Sequence, residues 1–328
     1  MIAKLEFFLN IIIIYGVLLI GVKSADETES NDQDSSEYIR QVNPEYADKI
    51  QIKVYTGKSN NTANVTDIPI TDPAKIYEHI DKTKPLVYYA HGYIEHPSNE
   101  SVQTIIEAYL KRGTDNIFII DWSQLAAGGV DEVVGRIKDV AKIIARSLDE
   151  VVKLGLDIEK FHFVGHSMGA QVAGFVGRYS NNSIPRISGL DPAFPGFYYI
   201  GIGHIDKDSA RFVDNIHTDR GYYGAPTDTG TVDFYANGGH RPQPGCEFIG
   251  RFLTPPDLCS HWRSWRFYAE TVNNNTAFLA TPCSNYAWYK LGWCNSNDKV
   301  YYGYASPTNI EGSYYFETGD KFPYSNIN

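Results

Sequence analysis

A serine between two glycines is the residue in this sequence with the clearest chemical potential. Residues 161–164 form a short apolar run that stops at Gly165-His-Ser-Met-Gly169, and small residues typical of a packed helix follow. A Gly-x-Ser-x-Gly turn between a strand and a helix places its serine on a sharp, strained elbow, and the glycines let the two elements approach closely. The helix N-terminus also favours developing negative charge. Ser167 is therefore predicted to be a nucleophile.

A serine hydroxyl becomes a useful nucleophile only when a histidine takes its proton and a carboxylate orients that histidine. On elbows of this kind the chain order is serine, acid, histidine. Asp191 is the candidate acid because it ends the strand that follows the nucleophile, in Gly-Leu-Asp-Pro-Ala. Three rival acids one strand further on are interpreted as solvated loop charges. They are Asp214, Asp219 and Asp233.

The base is expected among the four histidines that follow the candidate acid. His261 is preferred because it stands just after Cys259, and a disulfide there would hold the imidazole in place. The other candidates stay open at this point and are His204, His217 and His240. His217 falls on an expected strand, where a core role is the simpler interpretation.

A tetrahedral intermediate needs two N–H donors set in advance for its oxygen. With an elbow nucleophile, these donors come from the residue after the serine and from a loop after an early strand. Met168 and Tyr93, in Ala-His-Gly-Tyr, occupy these two positions. His91 and His166 lie beside them and are interpreted as orienting the loops, since no histidine pair has metal-site spacing.

The elements that would position these residues alternate along the chain. Apolar and β-branched runs predict strands at 51–56, 86–90, 117–120, 161–164, 186–190 and 211–216. Apolar residues at helical spacing predict helices over 101–111 and 131–154, each followed by a glycine. Strict alternation of strand and helix predicts a largely parallel sheet covered by helices on both faces. Reacting groups collect at the carboxyl ends of such strands.

The N-terminal residues predict export. Lys4 precedes an apolar run from 7 to 20, and small residues follow at 22 and 24, which indicates a signal peptide over residues 1–24. Residues 25–39 are acidic and predicted to be disordered, and they carry much of the net charge of −10. No basic cluster is present in the sequence, which argues against a nucleic-acid partner.

Four cysteines in the last third of a 328-residue chain predict two disulfides in an oxidising compartment. Of the three possible pairings, Cys246 with Cys259 and Cys283 with Cys294 close the shortest loops and are preferred. Five Asn-x-Ser/Thr sequons agree with secretion and glycosylation. They begin at Asn60, Asn64, Asn99, Asn181 and Asn274.

Several motifs in one order resemble the pancreatic-lipase gene family. They are His-Gly-Tyr, Ile-Asp-Trp, Val-Gly-His-Ser-Met-Gly-Ala, Gly-Leu-Asp-Pro-Ala, Ile-His-Thr-Asp, Asn-Gly-Gly-His-Arg-Pro-Gln-Pro-Gly-Cys and Cys-Ser-His-Trp-Arg-Ser. The resemblance implies an α/β-hydrolase fold in a single catalytic domain over residues 40–328. By position it implies the triad Ser167, Asp191 and His261, with oxyanion donors Tyr93 and Met168.

The resemblance also implies that residues 246–259 are a lid that moves at a lipid surface. Its apolar residues are Phe248, Ile249, Phe252, Leu253 and Leu258. No C-terminal lipid-binding domain is expected, and hence no colipase-type partner. The short lid and the short loop between 217 and 233 resemble secreted phospholipase A1 members and single-domain insect lipases.

The family's calcium loop would fall near Gly201, His204, Asp206 and Ser209, where Asp206 is the only carboxylate. A hard cation needs several oxygen ligands, which argues against a structural calcium. Neither a metal site nor a cofactor is expected.

The expected function is that of a secreted serine carboxylester hydrolase acting at a lipid–water interface, either a phospholipase A1 or a triacylglycerol lipase. The alternative is a catalytically inert lipid-binding or yolk-type storage protein on the same fold. Such relatives typically lack the serine, whereas all three triad members are present here.

Overall fold

The structure is a computed structural model that describes residues 35–198, 202–247 and 250–326. Its helices are α1 Ser35–Arg40, α2 Pro44–Ala47, α3 Pro73–Glu78, α4 Glu100–Arg112, α5 Val130–Lys153, α6 Met168–Tyr179, α7 Pro255–Asn273 and α8 Tyr286–Lys290. Its strands are β1 Gln51–Thr56, β2 Asn64–Pro69, β3 Leu86–Ala90, β4 Asn116–Asp121, β5 Phe161–His166, β6 Arg186–Leu190, β7 Val213–His217, β8 Val232–Ala236, β9 Leu279–Pro282, β10 Val300–Tyr301 and β11 Gly312–Phe316.

The described residues form one eleven-stranded sheet in the order β10-β9-β11-β8-β7-β6-β5-β3-β4-β1-β2. The strands from β4 to β11 across its centre pair in parallel, whereas β1 and β2 on one edge and β9 and β10 on the other are antiparallel. The predicted fold class, an α/β-hydrolase with a largely parallel sheet, is therefore confirmed. The edge hairpin of β1 and β2 was not anticipated from the sequence, because β2 is largely exposed and lacks a continuous apolar pattern.

Two apolar layers cover the sheet, one on each face. All five residues of β3 are buried, and they alternate between the two layers: Tyr88 belongs to the layer under α5 and α6, and Tyr89 to the layer under α4 and α7. Strands buried on both faces produce continuous apolar runs in the sequence. This is why strands β3 to β7 could be recognised, whereas β8 and β11, which also lie inside the sheet, were not predicted.

The N-terminal expectations meet the structure only in part. The predicted signal peptide over 1–24 and the acidic residues 25–34 lie outside the described residues. Residues 35–39, expected to be disordered, instead fall in α1, where Ile39 is buried and the carbonyl of Tyr38 accepts a hydrogen bond from Arg146 at 2.6 Å. The guanidinium of Arg146 also stacks over the Tyr38 ring, 4.5 Å from its centroid. These contacts with α5 order the segment despite its charge.

Two disulfides staple the C-terminal third, Cys246–Cys259 and Cys283–Cys294. The first joins the loop before α7 to the second turn of that helix, two residues ahead of His261. The helices of the described residues include none long and apolar enough to cross a membrane.

Two helical glycines offer a matched test of the packing that supports the elbow. A methyl group on Gly177, in α6, would overlap the backbone oxygen of Ser209, whereas one on Gly135, in α5, would meet nothing within 4 Å. We expect Gly177→Ala to lower the free energy of unfolding by about 1–3 kcal/mol through overpacking. We expect Gly135→Ala to raise it by roughly 0.5–1 kcal/mol through helix propensity. Urea denaturation of both variants measures the difference, and equal effects would contradict the close packing of α6.

Candidate active site

Ser167 stands at a turn between β5 and α6 whose backbone is strained. Its φ is +54°, a left-handed value that costs a non-glycine residue about 1–3 kcal/mol. A methyl group on Gly165 would overlap the backbone of Gly169, and one on Gly169 would overlap the carbonyl of Ala90. The strand and helix therefore touch at the two glycines. The turn lies at the carboxyl end of the parallel strands, as the elbow motif predicted.

An apolar cavity of about 430 Å³ opens over the serine. Its lining includes Tyr93, Met168, Leu258, His261 and Trp265 as well as Ser167. Among the described residues, the Ser167 hydroxyl has no hydrogen-bond partner, and the side chain is 8 % exposed. A nucleophile at the floor of an apolar cavity can meet an acyl group that has left water.

The structure brings the predicted acid and base together. Asp191 follows β6 and His261 lies in α7, and His261 Nδ1 is 2.6 Å from Asp191 Oδ2. The other carboxylate oxygen, Oδ1, accepts the backbone N–H groups of Thr218 at 2.9 Å and Asp219 at 3.2 Å. With a proton on Nδ1 bonded to the carboxylate, Nε2 of His261 is left as an acceptor on the cavity side. This is the tautomer that a general base requires.

The rival histidines have other partners outside the cavity. His217 is buried in β7, with Nε2 2.6 Å from Asp233 Oδ1, which agrees with the core role expected for it. His204 stacks on Tyr198 at 4.1 Å between ring centroids. His240 is exposed and bonds the carbonyl of Arg220 at 3.3 Å.

The interpretation of the rival acids as solvated loop charges was wrong. Asp214, Asp219 and Asp233 are only 2 %, 0 % and 2 % exposed. Each has a nitrogen-containing partner, which is Arg186 for Asp214, Arg241 for Asp219 and His217 for Asp233. Burial of a carboxylate is tolerated when a partner compensates its charge. Those partners are distant in sequence, so spacing could not reveal them.

The second element predicted to supply an oxyanion donor is the turn formed by residues 92–95, which follows β3. Within it, Gly92 N–H donates to Glu95 Oε2 at 2.6 Å, Ile94 N–H to the carbonyl of Ala126 at 3.0 Å, and Glu95 N–H to the carbonyl of Gly92 at 3.3 Å. Within the described ranges, the backbone N–H groups of Tyr93 and Met168 have no hydrogen-bond acceptor. Both are available for a developing oxyanion.

A buried charge network beside the triad was missed from the sequence. Arg241 binds both carboxylate oxygens of Asp219 and, 3.0 Å from Nη1, one oxygen of Asp257 at the start of α7. The hydroxyl of Tyr223 donates to the other oxygen of Asp257. Burial, together with the Asp191 carboxylate, raises the pKa of Asp219 to about 6, although the hydrogen bonds from Arg241 lower it. The network connects residues 218–219, whose N–H groups bind Asp191, to the loop 246–259 that the first disulfide closes, called here the stapled loop.

The stapled loop 246–259 contributes apolar side chains to the cavity. Phe252 is 68 % exposed, and its ring centroid lies 6.2 Å from that of Tyr223. Phe252, Leu253 and Leu258 all line the cavity. Residues 248 and 249, expected in the same apolar set, fall outside the described residues.

In the loop expected to correspond to the calcium site, protein groups already bind the oxygens of the described residues. The guanidinium of Arg178, at the end of α6, donates to Asp206 Oδ2 at 2.5 Å and to the carbonyl of His204. Ser209 Oγ donates to the other carboxylate oxygen, Asp206 Oδ1, at 3.2 Å. Gly201 lies outside the described residues.

The triad region also contains three side chains whose ligand atoms lie within 4.8 Å of one another, Asp191, Asp219 and His261. Their donor set is already engaged, because Arg241 binds both oxygens of Asp219 and His261 faces Asp191. The pairing of carboxylates with a guanidinium and an imidazole suits proton transfer better than metal binding.

Comparison with known proteins identifies the family of this chain. Residues 17–324 match the family model described as Lipase. The chain is a member of the lipase family. The resemblance to the pancreatic-lipase gene family predicted from the motifs is thereby confirmed.

Three curated relatives with different names illustrate the similarity. Lipase member H-B of Xenopus laevis is 30 % identical over 253 residues, covering 76 % of this chain and 54 % of that protein. Phospholipase A1 member A of Rattus norvegicus is 31 % identical over 194 residues, covering 59 % and 42 %. Pancreatic triacylglycerol lipase of Myocastor coypus is 30 % identical over 261 residues, covering 74 % and 56 %. The chain spans about half the length of the curated relatives it matches.

The buried network gives a prediction about stability. Arg241→Gln leaves the carboxylates of Asp219 and Asp257 without their cation, and we expect it to lower the free energy of unfolding by about 3–5 kcal/mol near neutral pH. The pKa of Asp219 in the folded protein is already above its ordinary value and rises further without Arg241. A raised carboxyl pKa means that stability is lost as pH rises, so the loss should be smaller at pH 5 than at pH 8.

Urea denaturation at several pH values measures this effect. The double variant Asp219→Asn/Arg241→Gln removes the titrating group and should lose much of the pH dependence. Arg211→Gln, which breaks the exposed pair with Glu159, is the matched control and should change stability by less than about 0.5 kcal/mol. A pH-independent loss in Arg241→Gln would contradict this account of the network.

Proposed function

We propose that this protein is a secreted serine carboxylester hydrolase that cleaves acyl esters of lipids. The observation that carries the proposal is the 2.6 Å contact between Asp191 and His261, which lies beside Ser167 in an apolar cavity. The apolar lining supports an acyl chain as the bound part of the substrate. Two disulfides, together with the predicted signal peptide, support secretion.

The proposed reaction has two halves. Ser167 Oγ attacks the ester carbonyl carbon while His261 Nε2 takes the hydroxyl proton, and Asp191 stabilises the imidazolium. The N–H groups of Tyr93 and Met168 bind the oxyanion. The intermediate collapses, His261 gives the proton to the departing alkoxide, and the acyl group stays on Ser167. A water molecule, deprotonated by His261, then releases the fatty acid by the same steps in reverse.

Both phospholipids and neutral glycerides are suitable substrates for this chemistry. Relatives are named phospholipase A1 and triacylglycerol lipase, and both activities cleave acyl esters. The exposed Phe252 at the cavity mouth supports action at a lipid–water interface, where an apolar side chain loses its contact with water. Initial rates on phosphatidylcholine and triolein emulsions, measured side by side, separate the two substrate classes.

The triad gives a prediction about activity. Ser167→Ala removes the nucleophile, and we expect kcat to fall by about 10⁴–10⁶-fold. Asp191→Asn disturbs the tautomer of His261 and should lower kcat by about 10³–10⁴-fold. Circular dichroism and thermal unfolding check that both variants fold. Full hydrolysis by folded Ser167→Ala would overturn the proposed mechanism.

A fluorophosphonate probe separates an enzyme from an inert lipid-binding protein. The probe labels an activated serine covalently, so we expect mass spectrometry to find one adduct on Ser167 in the native protein and none in Ser167→Ala. Folded, secreted protein that takes no label would favour the lipid-binding alternative.

A further inference from the structure

Glu95 is a largely enclosed carboxylate in the cavity wall that the proposed reaction does not use. Its side chain is 13 % exposed. Its oxygens accept hydrogen bonds from Gly92 N–H at 2.6 Å and Ser101 Oγ at 2.7 Å, and Oε2 lies 3.2 Å from His166 Nδ1. These three groups belong to the 92–95 turn, the first helical turn of α4 and the last residue of β5. One side chain thus joins three elements around the nucleophile.

The 92–95 turn is closed at both ends by Glu95. Its backbone N–H donates to the carbonyl of Gly92 at 3.3 Å, and its carboxylate accepts the N–H of Gly92 at 2.6 Å. The tyrosine inside the turn is held by its hydroxyl, which donates to the carbonyl of Gly128 at 2.6 Å. Of the backbone N–H groups in this turn, that of Tyr93 has no acceptor among the described residues. The turn therefore offers that N–H in a fixed position.

Glu95 also holds the turn against the elbow. A methyl group on Gly92 would lie 3.1 Å from Ser167 Cβ and 3.2 Å from His166 Nδ1, so the turn and the elbow are in close contact. His166 is 2 % exposed, and its ring centroid lies 4.8 Å from that of His261. Movement of Glu95 would therefore disturb the spacing between the turn and the nucleophile.

The charge of Glu95 is stabilised by its neighbours. Burial acts to raise its pKa, but the charge and hydrogen bond of His166, with the hydrogen bonds from Ser101 and Gly92, outweigh burial and lower the pKa to about 2. The carboxylate is ionised throughout the pH range in which a serine hydrolase with a histidine base works. An ionised carboxylate accepts stronger hydrogen bonds than a neutral one.

We propose that Glu95 is a positioning residue of the oxyanion hole, whose carboxylate fixes the 92–95 turn against His166 so that Tyr93 N–H is set before the reaction. This inference rests on the proposed function. Glu95 does not touch the reacting atoms, and it acts through Gly92 and His166. Because the oxyanion exists only after attack by Ser167, loss of this positioning lowers kcat and leaves substrate binding nearly unchanged.

Glu95→Gln is the test, because it preserves size while replacing one acceptor oxygen by an NH₂ group. The amide oxygen can still accept from Gly92 N–H, and the NH₂ group can donate to Ser101 Oγ after the hydroxyl rotates, but the side chain carries no negative charge. The hydrogen bonds that hold the turn therefore become weaker. We expect kcat on an emulsified ester to fall by about tenfold, short of the roughly 10²–10³-fold loss on removal of one oxyanion donor, because the Tyr93 N–H is still present but less firmly held. The apparent KM should stay within about twofold, and the affinity for an acyl trifluoromethyl ketone, which mimics the tetrahedral intermediate, should fall with kcat.

Asp149→Asn is the matched control. Asp149 is also a buried carboxylate, 2 % exposed, and it accepts hydrogen bonds from Ser180, Asn181 and Asn182 at the far end of α6. We expect this variant to lose stability while kcat per folded molecule is unchanged. If Glu95→Gln behaves in the same way, Glu95 is only structural and the proposal is overturned.

A milder variant covers the case in which Glu95→Gln fails to fold. Ser101→Ala removes one of the contacts to the carboxylate, and we expect a smaller loss of kcat with KM unchanged. An unchanged kcat in folded Ser101→Ala would then overturn the proposal. Failure of the proposed function has a different signature, since it would appear as full hydrolysis by Ser167→Ala whatever the Glu95 variants do.

Discussion

The close approach of α6 to the central sheet is the constraint on which the site depends. Neither Gly165 nor Gly169 has room for a side chain, and Gly177 abuts the loop before β7. Because the helix lies so near the strands, the chain must turn within one residue, and Ser167 takes a left-handed backbone conformation to do so. The strain is offset by packing along the whole helix. The hydroxyl is thereby presented to the cavity.

Carboxylates that each face a nitrogen-containing partner fix the parts that surround the serine. Asp191 faces His261, Glu95 faces His166, and Arg241 compensates two further carboxylates. A buried charge without a partner is costly, so each pair holds its elements in one arrangement. Each of these pairs joins segments far apart in sequence. Electrostatic order around the nucleophile is therefore a property of the folded chain.

The cavity combines this polar floor with apolar walls. Trp265 and Leu258 come from α7, which also carries His261, and Phe252 comes from the stapled loop before it. The Cys246–Cys259 disulfide joins the base of that loop to the helix. The disulfide therefore links the loop to the helix that carries His261, and the network around Arg241 adds a second connection at Asp257.

The sequence alone determined the features that depend on short-range pattern. Strands β3 to β7 were recognised because they are buried on both faces, and the elbow because its glycines must stand beside the serine. The order of residues 35–39 was not predicted, because it comes from contacts such as Arg146 with Tyr38. Strands β2 and β8 to β11 were not predicted either, although β8 is buried along its whole length. Chain order and family motifs placed the candidate triad, whose role stays a prediction.

Only the tertiary structure decided which charges are buried and which groups they meet. Asp219 was interpreted as a loop charge and is enclosed, and Glu95, which no sequence pattern singled out, contacts His166 at the elbow. The physical reason is that the state of a carboxylate depends on partners brought to it by the fold. Arg241 lies 22 residues from Asp219, and His166 lies 71 residues from Glu95. No local pattern in the chain encodes those distances.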